Sequence, residues 1–112
     1  MKIVAALLAL SLSALANPGL AAADEGMAAV ETLGRLNGIA LACQQPALVS
    51  RARNAVVTTA PKTRSYGEAF ETATNAAYIE QGKGATCPDA ASLASKIASA
   101  EKRLEESFAK PK

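Results

Sequence analysis

Two cysteines, Cys43 and Cys87, stand at the edges of helical stripes, and this placement constrains the fold of the 112-residue chain more than any other feature. Ala29, Leu33, Leu36, Ala40 and Cys43 follow steps of four, three, four and three, with Val30 and Leu41 widening the stripe. That spacing marks one face of a helix. Leu93, Ile97, Ala100, Leu104 and Phe108 repeat the rhythm after Pro88 and Asp89, so Cys43 closes the first helix and Cys87 opens the last. Two further segments lie between them. One carries Leu48, Ala52, Ala55, Val56 and Thr59 behind Pro46, which suits a first helical turn because its missing N–H is not needed there, and it ends at Ala60-Pro61-Lys62. The other starts at a Thr63 or Ser65 cap, aligns Tyr66, Phe70, Ala73 and Ala77, and stops at Gly82 and Gly84. No run alternates with a period of two, so the expected class is all-α. With short connections the expected architecture is a small up-down-up-down four-helix bundle. That topology brings the end of helix 1 and the start of helix 4 to one pole, and it predicts a Cys43–Cys87 disulfide.

The N-terminus supplies the redox context. Lys2, the apolar run from Ile3 to Ala16 and the small residues after it have the grammar of a bacterial secretory signal peptide. Ala14-Leu15-Ala16 permits cleavage after Ala16. Ala21-Ala22-Ala23 permits cleavage after Ala23, which is preferred because Pro18-Gly19 is expected to end the hydrophobic helix just upstream. The expected organisation is a signal peptide over 1–23 and a single helical domain over 24–112, frayed at about 109–112. The apolar run is interrupted at Asn17-Pro18-Gly19, so no stable membrane span is expected after cleavage. The expected destination is the periplasm or the exterior, where two cysteines form a disulfide. A domain this small has a thin core, and the staple adds stability that the core alone does not supply.

Charge and composition remove several functions. Twelve Lys and Arg against ten Asp and Glu, interspersed along the chain and with Lys2 in the signal peptide, give no basic field for nucleic acid. There is no histidine, so the common zinc sites and catalytic triads lose their usual ligand or base, and no metal is expected. The run Gly82-Lys83-Gly84 lacks the spacing and the preceding strand of a phosphate loop. Glu68 with Glu71, and Glu101 with Glu105, are interleaved with cations and read as solvated faces. The overall plan resembles exported four-helix haem cytochromes, with Met27 in a comparable early position to their methionine ligand. Their histidine ligand on the last helix has no counterpart here, so the resemblance is architectural and no cofactor is expected.

Three local features remain as candidates. Lys62, Thr63, Arg64, Ser65, Tyr66 and Glu68 crowd the start of the third helix, where backbone N–H groups could meet an anion or a partner, with Arg51 and Arg53 contributing from the second helix. A capping arrangement with an Arg64–Glu68 pair within the third helix is the competing reading and the preferred one. Gly34 and Gly38 have the spacing that lets two helix backbones approach, either inside the chain or across a homodimer. Asn37 and Asn75 are candidates for buried polar contacts that set helix register. The leading functional expectation is a non-enzymatic exported protein that binds another protein as an accessory, inhibitor or chaperone-like factor. A small-ligand or anion carrier and a self-associating structural envelope component are the alternatives.

Overall fold

The computed structural model describes residues 18–109, with side chains from residue 25 onward. Residues 1–17 of the expected signal peptide and residues 110–112 of the expected frayed end lie outside the described residues. The described chain is all-helical, with four helices and no strand: α1 (Pro18–Ala42), α2 (Pro46–Thr59), α3 (Arg64–Gly82) and α4 (Ala90–Ser107). Pro18 opens α1, as its fixed φ and missing N–H allow at a first helical position; the hydrophobic run that Pro18 and Gly19 were expected to end lies outside the described residues.

Local sequence sets most of the boundaries. Thr63 Oγ1 caps α3 by accepting from Tyr66 N at 3.4 Å, and Asp89 Oδ1 caps α4 by accepting from Ser92 N at 2.7 Å. Pro46 opens α2, whose preceding residue Gln45 offers no side-chain cap. At the end of α3, Lys83 N donates back to Glu80 O at 3.2 Å and Gly84 turns the chain at φ +105°. The glycines around Lys83 are therefore a helix stop followed by a connector. The end of α1 is less expected, because Gln44, which is not glycine, takes the left-handed conformation at φ 58°. Gln44 N donates to Leu41 O and Gln45 N to Ala40 O, the paired bonds of a Schellman stop.

Helix α1 is the hub. It packs against α2, α3 and α4, while α2 and α4 also pack against each other. The core draws Ala29, Val30, Leu33, Leu36 and Ala40 from α1, Ala52 and Val56 from α2, and Leu93, Ile97, Ala100 and Leu104 from α4. From α3 only Phe70 joins this buried apolar set.

What binds α3 is close backbone approach. A Cβ added at Gly34 would lie 2.6 Å from Phe70 O and 2.8 Å from Ala73 Cβ. One added at Gly38 would collide with Thr74 O and lie 2.9 Å from Ala77 Cβ. The register ascends on both helices, so α1 and α3 run parallel and in contact. Helices 1 and 3 of a square up-down-up-down bundle sit diagonally, so this contact collapses the square along one diagonal. The cause is the pair of glycines facing alanines. The contact lies within one chain, which leaves Gly34 and Gly38 no free face for a homodimer.

A polar node locks the same contact. Asn37 is fully buried, and its Nδ2 donates to Thr74 Oγ1 at 3.1 Å. The single Thr74 hydroxyl proton faces Phe70 O at 2.8 Å and Gly34 O at 3.1 Å. Asn37 Oδ1 has no partner among the described residues. Asn75, the other expected register residue, is exposed; its neighbour Thr74 takes that place because Thr74 faces α1.

The two poles are closed differently. Cys43 and Cys87 form a disulfide with a Cα–Cα distance of 5.8 Å, tying the end of α1 to the start of α4. Gln81 Nε2 donates to Ala85 O at 3.0 Å and steadies the connector beside it. At the other pole the Phe108 ring fills the space that a Cβ on Gly26 would need and meets Tyr66 edge-on, with ring centroids 5.3 Å apart.

Two measurements test this account. Gly38→Ala is expected to lower unfolding free energy by about 1–3 kcal/mol through overpacking against α3; an unchanged urea midpoint would remove the close contact from the ledger. Cys87→Ser, or reduction of the wild type, is expected to cost about 4 kcal/mol by the chain-entropy relation for a 44-residue separation, read as a lower melting temperature than that of the oxidised protein.

Candidate functional site

The residues proposed around the start of α3 do not converge on one site. Lys62 Nζ turns back to donate to Val57 O at 2.9 Å, closing the end of α2. The Thr63 hydroxyl is used as the α3 cap. Arg64 and Ser65 are exposed, and the Arg64–Glu68 pair is not among the ion pairs of the described residues. Tyr66 is half-buried against Phe108. Lys62, Thr63 and Tyr66 still border one open hollow of about 330 Å³, but its remaining walls are Val56, Val57, Ala60, Pro61 and Gly67. Apolar walls dominate, and the one ammonium at the rim already gives a donor to Val57 O, so little there is directed at an anion.

Arg51 and Arg53 part company because their positions on α2 point to different neighbours. Arg51 forms a two-point bond with Glu101 of α4, with Nε to Oε2 at 3.0 Å and Nη2 to Oε1 at 2.8 Å. The hydrogen bond to Glu101, and then its charge, hold the Arg51 guanidinium above its ordinary value, against a small opposing effect of burial. A raised cation pKa means that this contribution is complete below the unfolded value and fades only as pH rises through the folded one. The guanidinium therefore keeps its charge across the physiological range. It crosses a polar hollow of about 520 Å³ bordered by Ser50, Asn54, Thr58 and Glu105. Arg53 turns instead to α3, with Nη1 3.3 Å from Glu71 Oε2 and its guanidinium carbon 5.7 Å from the Phe70 ring centre.

An open surface between α1 and α3 was not foreseen. Two hollows of about 590 and 560 Å³ meet at Arg35 and Ala76 and are lined by α1 and α3 alone. Ala69, Ala73, Ala76 and Ala77 of α3 and Leu36 and Ile39 of α1 line this groove. Glu31, Glu68 and Glu80 line it together with Arg35, whose Nη2 donates to Thr32 Oγ1 at 3.2 Å. The groove follows from the diagonal collapse: with α1 and α3 drawn together, α2 and α4 lie on another flank of α1. The available signal was the alanine run of α3, which has more small residues than its one buried aromatic needs.

No group of carboxylates and thiols among the described residues has the arrangement of a metal site, and no described helix is long and apolar enough to cross a membrane. No family model matches the chain, and no curated protein or solved structure matches it either.

A double-mutant cycle on Arg51→Ala and Glu101→Ala is expected to give a coupling of up to about 1 kcal/mol that shrinks in high salt, as for other exposed pairs. A coupling indistinguishable from zero at low salt would make the contact incidental.

Proposed function

We propose that the chain is a small exported, non-enzymatic helical protein that acts by binding another protein, as an accessory, inhibitor or chaperone-like factor. In this reading residues 1–23 are a cleaved signal peptide, the helices keep an up-down-up-down order, and the protein works in the bacterial periplasm or outside the cell. The disulfide is consistent with an oxidising compartment. The observation that carries the binding reading is the open α1–α3 groove, where alanines, Met27 and Ile39 lie among charged and polar side chains and neither α2 nor α4 forms a wall. The partner surface thus moves from the start of α3 to the flank it shares with α1.

The carrier reading has less behind it. Lys62 and Thr63 spend their polar groups on helix ends, and Arg51 and Arg53 are paired with Glu101 and Glu71. Self-association would need a face other than Gly34 and Gly38, which α3 already covers.

A photo-crosslinking residue placed at Ala76 in the groove, and separately at Asn54 on the α2–α4 face, tests the proposal in the cell that makes the protein. The expected result is a discrete protein adduct from position 76 and none from position 54. Equal adducts from both positions, or none from either, would count against a binding surface on this flank.

A further inference from the structure

Resting on the groove reading, we infer the kind of partner that fits: an amphipathic helix with a stripe of bulky apolar side chains and lysine or arginine beside it. Length comes first. From Met27 to Ile39 the α1 wall spans about 18 Å at 1.5 Å per residue, so a helix of three to four turns fills it. Side-chain size comes next. Ala69, Ala73 and Ala76 give the groove shallow holes without knobs of their own, so the partner must bring the volume as leucine-sized or aromatic side chains. An extended strand is a poor match, since helices α1 and α3 spend their backbone groups internally and offer no edge to pair with.

Charge then selects among amphipathic helices. Glu31 and Glu68 line the groove near Met27 and form no ion pair among the described residues. Arg35 is the single cation lining the groove and spends one nitrogen on Thr32. Glu80 at the far end lies 3.8 Å from Lys83. The negative excess is therefore concentrated at the Met27 end. A partner with basic residues flanking its apolar stripe at that end gains two complementary contacts, and an acidic partner is repelled.

The test is a displayed library of helical peptides of about 14 residues, with a fixed leucine stripe and flanking positions drawn from Lys, Glu, Gln and Ser. It is panned on the oxidised full chain, and recovered peptides are measured on Ala76→Arg and on the double variant Glu31→Lys/Glu68→Lys. All three positions are solvent-exposed, so the core is untouched. The expected result is recovery of lysine-flanked peptides whose affinity drops about tenfold or more on either variant, with glutamate-flanked peptides preferred by the double variant. Peptides lost on Ala76→Arg but showing no lysine preference would overturn the basic partner and leave the groove reading standing. Peptides indifferent to Ala76→Arg, or no recovery at all, would overturn both.

Discussion

The arrangement depends on two helix backbones being allowed to touch. Gly34 and Gly38 weaken α1 as an isolated helix, at about 1 kcal/mol each against alanine, yet they let α3 approach closely enough that its own carbonyls and alanines form the other half of the contact. Little apolar volume is available to hold α3 by any other means, since Phe70 is its one contribution to the buried apolar set. Contact energy is replaced by proximity. Many short-range dispersion contacts, the aromatic side chains of Phe70 and Tyr66 and one buried hydroxyl do what a row of leucines does elsewhere.

That proximity also explains the polar node. A buried asparagine is costly where its polar atoms lack partners; the Asn37 amide nitrogen meets one only because Thr74 is carried to it by the glycine contact, while Oδ1 has none among the described residues. The hydrogen bond sets the register between α1 and α3, where sliding by a turn would otherwise exchange one alanine for another. Small-residue interfaces are smooth; a single directional bond makes one alignment better than the rest.

The parts of the fold legible in the sequence are those governed by local chemistry. Pro46, Thr63, Gly84 and Asp89 act where their backbone preferences put them, and the α4 stripe from Leu93 to Leu104 is buried as its spacing requires. The cysteine pairing was legible because topology and chain order agreed on one pole. What escaped depends on which helices become neighbours. Spacing alone does not tell whether Gly34 and Gly38 meet α3 or a second chain, whether Asn75 or Thr74 faces inward, or that Arg51 and Arg53 diverge to α4 and α3. Gln44 in the left-handed region was hidden for another reason: no glycine marks the stop, and the turn is held by two backbone bonds that any residue can supply. The groove followed from the neighbour relation and could not be read before it.

The disulfide has a further consequence beyond holding one pole. With Cys43 joined to Cys87, all of α2 and α3 lies inside a covalent ring, while α1 and α4 leave the same knot as its two tails. Cutting the peptide chain once anywhere between the cysteines opens the ring without releasing a fragment. The groove's α3 wall stays attached to the α1 wall through the sulfurs, so the chain can be nicked by a protease at an exposed turn such as Pro61-Lys62 and remain a single molecule.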